Sequence, residues 1–167
     1  TKILLSNVLP YENGSALVLE RIESSAIILM KEIVIVPLTA DGKMGTVTYI
    51  PKYTSISGSD SPVTPASLVT DNHIVVIYSD SKVNFKERSM DKMERESKEE
   101  KMDAIIATVD KDGSYHKEKL RLPGKETGLF VFGEFSERVD SNHYRLAMGK
   151  IDTGTFISNL YIGIGNF

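Results

Sequence analysis

The chain is a succession of short apolar segments rich in β-branched and aromatic residues, separated by turn formers. This pattern predicts strands over Lys2–Val8, Ala16–Ile22, Glu32–Thr39, Gly45–Ile50, His73–Ser79, Ala104–Asp110, Tyr115–Leu122, Leu129–Glu134, His143–Lys150 and Phe156–Gly163. Ten strands in 167 residues is the density of an all-β fold. Only Ser24–Met30 and Glu87–Met102 admit a helix instead. The serine-rich stretch Tyr53–Val69, with two prolines, reads as a surface connection. Rim loops of this kind are also where repeat proteins bind ligands.

Two turns carry a hairpin signal. Asp41-Gly42 and Asp112-Gly113 each lie between strand-like runs. Glycine accepts positive φ without a Cβ clash and Asp tolerates it, so Asp-Gly favours a tight hairpin. The segments leading into them align, Glu32 to Gly42 over Asp103 to Gly113, at an offset of 71 residues. Asn72-His73 and Asn142-His143 both precede a strand, at an offset of 70. Asn13-Gly14-Ser15-Ala16 is a weaker third copy of the Asn-led start. The unit is an Asn-led strand, a connection, an acidic-start strand, an Asp-Gly turn and a return strand.

A unit of this kind predicts antiparallel sheets from a repeat of about 70 residues, partly like the blades of a β-propeller. A β-sandwich or barrel is the alternative. We expect a single all-β domain over 1–167 holding two to three units, with a charged insertion at 82–102 lengthening the second. A propeller closes with about four blades or more. The chain starts at Thr1 rather than Met, which reads as a mature piece or a fragment of a longer protein.

The run His73-Ile-Val-Val-Ile-Tyr-Ser-Asp80, followed by Asp103-Ala-Ile-Ile-Ala-Thr-Val-Asp-Lys-Asp-Gly113, resembles the C-terminal repeats of uncharacterised exported bacterial proteins with propeller-like repeats. Tyr78-Ser79-Asp80 departs from the Tyr-Asn-Asp ending of that group. The likeness spans Asn13 to Lys150 and rests on turn and core patterns. It implies export to the periplasm or cell surface, and carries over no catalytic residue.

Composition narrows the partners. A net charge of −3 with no basic stripe gives no footprint for nucleic acid. No apolar run is long enough for a membrane span. The absence of Cys excludes disulfides, thiol catalysis and thiolate metal ligation. From Lys86 to Asp103, thirteen of eighteen residues are charged, six basic and seven acidic. Without an apolar stripe, this run reads as a solvated helix or loop.

Candidate chemistry is sparse. His73 and His143 hold the same repeat position, which argues for structure; the functional alternative is a ligand or metal site lined by equivalent loops. His116, among Lys117, Glu118 and Lys119, reads as an exposed face residue. Asp80 and Asp112 punctuate strand ends with Asp71, Asp110, Asp140 and Asp152. Oxygen-rich loops can hold Ca²⁺, but the twelve-residue loop with its terminal Glu is absent, and Asp at strand ends is commonly a turn former. His73, His143, Asp80 and Asp112 are therefore the ligand-site candidates, with no catalytic residue and no cofactor predicted. The sequence holds no Gly-x-Ser-x-Gly, His-Glu-x-x-His, phosphate-binding loop or dinucleotide fingerprint. The expectation is a non-catalytic module that binds or scaffolds protein or carbohydrate. The alternative is part of a propeller-type hydrolase or lyase completed by missing blades.

Overall fold

The computed structural model describes residues 1–24, 28–56, 63–70, 73–87, 89–94, 102–121, 130–149 and 156–163. Their strands are β1 Lys2–Tyr11, β2 Gly14–Ser24, β3 Ile28–Leu38, β4 Thr48–Ile56, β5 Ala66–Val69, β6 Ile74–Ser81, β7 Met102–Val109, β8 Tyr115–Lys119, β9 Phe130–Val131, β10 Glu137–Arg138, β11 His143–Gly149 and β12 Phe156–Gly163. They form three antiparallel sheets, none closed into a barrel. Sheet one is the meander β1-β2-β3-β4 and sheet two the meander β5-β6-β7-β8. In sheet three, β11 pairs with β12 on one side and with both β9 and β10 on the other.

The apolar pattern explains how the sheets stack. Side chains alternate between the two faces of a strand, so an uninterrupted apolar strand must be covered on both. Ile74 to Tyr78 is such a run, and the whole strand through Ser81 is buried. Ile74, Val76 and Tyr78 join Ile105, Ala107 and Val109 against Ala16, Val18, Ile33, Ile35 and Ile50 of sheet one. The opposite parity, Val75, Ile77, Ala104 and Ile106, packs on Val131, Tyr144, Leu146 and Met148 of sheet three. Sheet two is therefore the middle layer. A third cluster, including Met30, Met102, Phe130 and Phe132, joins the three sheets at one end.

The two Asp-Gly turns hold the same place, between the third and fourth strands of successive sheets. Their hydrogen bonds match. Gly42 N donates to Thr39 O and Thr39 N to Lys43 O; Gly113 N donates to Asp110 O and Asp110 N to Ser114 O. Gly42 and Gly113 have φ of 80° and 86°. The starts of β6 and β11 match as well: Thr70 N and Asp140 N each donate to the carbonyl three residues on, at His73 and His143.

Several expectations need correction. Ser24–Met30 is not helical: β2 runs to Ser24 and β3 starts at Ile28, with 25–27 outside the described residues. Met30 is needed in the core, and β3 pairs with β4 there. The described part of Glu87–Met102 holds only a 3₁₀ turn at Met90–Lys92, and Met102 already belongs to β7. Ion pairs worth a few tenths of a kcal/mol do not hold a helix without an apolar face. Instead the buried Asn84 amide accepts from Glu94 N at 2.8 Å and donates to Glu94 O at 2.8 Å, imitating a strand pair. Residues 95–101, within the charged run, lie outside the described residues.

The stretch Tyr53–Val69 is not all connection. It contains the end of β4 and the whole of β5, whose Ala66, Ser67 and Leu68 are buried. Leu129–Glu134 is not one strand: Gly133–Phe135 turns as a 3₁₀ helix between β9 and β10. A Cβ on Gly133 would stand 2.1 Å from Pro65 O, so the chain crosses Pro65 closely there and leaves the ladder. At the outer edge, β8 exposes His116, Glu118 and Lys119, charged or polar side chains that discourage pairing with a foreign strand.

Candidate functional site

The first strands of the three sheets converge. A bulge between Leu5 and Asn7 of β1 re-aims Asn7, as bulges near sites often do. Asn7 Oδ1 accepts from Val8 N at 2.8 Å, and its Nδ2 donates to Ser67 Oγ on β5 at 3.0 Å. Tyr144 of β11 donates its hydroxyl to Ser67 O at 3.4 Å. Burial pushes that phenol up to about 12, so it stays protonated at neutral pH. Arg138 of β10 reaches Val69 O at 3.5 Å. Between these strands lies a cleft of about 490 Å³ whose lining includes Asn7, Ser67, Thr70, Glu137, Arg138 and Tyr144. It offers an amide, hydroxyls, a guanidinium and a carboxylate, a set suited to hydrogen-bonding a polar ligand. Ser67 Oγ meets the Asn7 amide, a group that cannot serve it as a general base.

A second cleft, of about 410 Å³, lies at the turn end of sheet one and includes Tyr11, Glu12, Thr39, Asp41 and Lys111. Lys111 bridges to Glu12 at 2.9 Å, tying the β1–β2 turn to the second Asp-Gly turn. Glu12 bonding also raises the Lys111 pKa above its ordinary value. Histidine lines neither cleft.

The most polar part of the interior is a joint between sheets one and two. Lys52 and Glu20, both fully buried, pair at 2.6 Å. Across the joint, the buried Asp80 Oδ1 accepts from Ser81 N at 2.7 Å, Asn84 Nδ2 at 3.2 Å and Tyr53 N at 3.3 Å. The last bond crosses from sheet two to sheet one. Burial raises the Asp80 carboxyl above its ordinary value, while Asn84, the two backbone amides and the Lys52 ammonium pull it down. Thr54 Oγ1 donates to Ser79 O at 3.1 Å, a second polar tie between the same sheets.

Comparison with protein-family models, curated proteins and solved structures found no match.

The four sequence-predicted candidates do not form one site. His73 Nε2 lies 3.1 Å from Asp110, at the entrance to the Asp-Gly turn. His143 Nδ1 instead faces Asp140 at 3.0 Å across its own tight turn. Asn142 N and the His143 side chain hold Asp140 below the ordinary value. Asp112 accepts from Ser114 N at 2.8 Å, and the Ser114 hydroxyl and amide hold its carboxyl low. That is the work of a turn former. Asp80 sits at the other end of β6 from His73, roughly 20 Å away at the rise of an extended strand. Among the described residues, no three His, Asp or Glu side chains gather to hold a metal ion.

Sequence reasoning missed Asn7, Glu20, Lys52 and Arg138. Lys52 carried a faint signal: a lone charge within Thr-Tyr-Ile-Pro-Lys-Tyr-Thr, where burial demands a partner. The Met30/Glu32 bulge in the β3–β4 ladder shifts the register beside it. Nothing local marks Glu20 as its partner.

Proposed function

We propose that the chain is a non-catalytic binding module of propeller-like stacked sheets. Its ligand is an extended polar segment of protein or carbohydrate held in the cleft along the first strands. The observation that carries this reading is the lining of that cleft. Three sheets contribute hydrogen-bonding groups, while its described lining residues hold no carboxylate–imidazole or nucleophile–base pair of a hydrolase. The resemblance to exported bacterial repeats suggests a cell-surface or periplasmic setting for such a ligand.

The test is calorimetric titration with peptide and oligosaccharide libraries, paired with chromogenic ester and glycoside substrates. Binding weakened about tenfold or more by Asn7→Ala or Arg138→Ala, without turnover, supports the reading; one lost hydrogen bond to a charged group is worth about that much. Turnover, or binding indifferent to both substitutions, overturns it.

A further inference from the structure

Among the described residues, one apolar sheet face is left open: the outer side of sheet one. On the outer side of sheet one, Leu5, Leu19, Val34 and Tyr49 form an unbroken cross-strand row, because Leu5 pairs with Leu19, Leu19 with Val34, and Val34 with Tyr49. Val8, Leu17 and Val36 form a second row beside it. Ile3 lies next along β1, and the Arg21–Glu32 ion pair at 2.7 Å bounds that end. Ile3, Leu5, Val8 and Tyr49 are 69%, 53%, 51% and 58% exposed. Four large hydrophobic side chains on one face are far from the scattered exposure of an ordinary surface.

The face also continues an interface that the molecule already uses. Val34 and Val36 precede Ile105 and Ala107 by 71 residues, the offset of the two Asp-Gly turns. Ile105 and Ala107 are side chains with which sheet two packs on sheet one. The outer face of sheet one therefore repeats a surface that is covered one layer further on. The opposite end of the stack does not complement it. The outer face of sheet three carries the Arg145–Glu137 pair at 2.7 Å, with Tyr161 beside Arg145. Head-to-tail stacking of copies would press that ion pair into an apolar surface and desolvate it. Like-on-like pairing about a twofold axis leaves the sheet-three pair in solvent, keeps the Arg21–Glu32 pair at the rim of the contact, and closes the assembly.

We propose that a second copy of this chain covers the outer face of sheet one, two such faces meeting in a symmetric dimer. Four strands about 4.8 Å apart and some 30 Å long span about 600 Å², the low end of what each partner buries in a specific interface. The proposal is independent of the ligand cleft.

Sedimentation velocity from roughly 1 to 100 µM tests it, in the micromolar-or-tighter range of interfaces of this size. The expected result is a dimer that Leu5→Lys and Tyr49→Lys convert to monomer, with unchanged far-ultraviolet circular dichroism. Tyr161→Lys, on sheet three, leaves the dimer intact. A monomer at all concentrations, an open-ended filament, or a dimer broken by Tyr161→Lys alone overturns the proposal.

Discussion

Gly42 and Gly113 occupy the same position in the same turn, yet alanine should cost very different amounts at the two. Both glycines have positive φ, 80° and 86°. An L residue held there costs about 1–2 kcal/mol, partly offset by the lower entropy of the unfolded alanine chain. At Gly42 nothing lies within 4 Å of an added Cβ, so the backbone cost stands alone. At Gly113 the Cβ would meet Thr46 Cγ2 at 2.5 Å and Thr48 Oγ1 at 3.2 Å. That clash adds about 1–3 kcal/mol of overpacking. It also threatens the bond from Thr48 Oγ1 to Gly113 O, 2.9 Å long, which ties sheet one to the turn of sheet two. The expectation is about 1 kcal/mol for Gly42→Ala and about 2–4 kcal/mol for Gly113→Ala. In a chain of this length, each kcal/mol lowers Tm by about 2–4 °C. Urea denaturation of both variants, with thermal melts alongside, measures the difference. Thr46→Ala removes the atom at 2.5 Å, so it should cost Gly113→Ala less than it costs wild type. Equal costs for the two glycines, or no coupling to Thr46, would refute the docking of the second turn against sheet one.

Two further outcomes follow from the buried joint. Lys52→Met should destabilise by about 3–5 kcal/mol, because it strands the Glu20 carboxylate in the interior, whereas Glu20→Leu with Lys52→Met should be near neutral; urea midpoints of the single and double variants decide it, and a double variant as unstable as the single rejects the pairing. Asp80 has a folded-state pKa above its unfolded value of 3.8, so its buried charge weighs against folding at neutral pH and that cost is relieved as pH falls through the folded value. Stability of wild type relative to Asp80→Asn, which keeps an oxygen for the same three donors, should therefore rise between pH 7 and pH 4; a fall over that interval contradicts the assignment.

The fold was legible where local chemistry repeats. The Asp-Gly turns fixed their own geometry, and the β-branched run from Ile74 to Tyr78 marked a strand, whose cover on both faces came only with the stacking. Short elements escaped because two to four residues carry little periodicity. Ala66–Val69 hides beside serines and prolines, and Phe130–Val131 is cut short by a glycine whose constraint comes from Pro65, distant in sequence. The site was less legible still. His73 and His143 share a repeat position but take different partners, Asp110 and Asp140, because one neighbour comes from a flanking strand and the other from the turn itself. Asn7 becomes a cleft residue through a bulge, and Glu20 finds Lys52 across the sheet. Such encounters depend on register and stacking, which no short motif encodes.

Each sheet is made from one uninterrupted stretch of chain, and this bears on the order of assembly. Residues 2–56 can close sheet one before sheet two has left the ribosome, since its ladders need nothing downstream. The nascent sheet would then wait with its inner face, including the Glu20–Lys52 pair, still wet. Sheet two has no such autonomy, because both its faces need a neighbour. Its arrival dries the pair and lets Asp80 catch the Tyr53 amide. The middle layer is thus the step at which the sheets become one cooperative body, and it is where interrupted synthesis would leave the most adhesive intermediate.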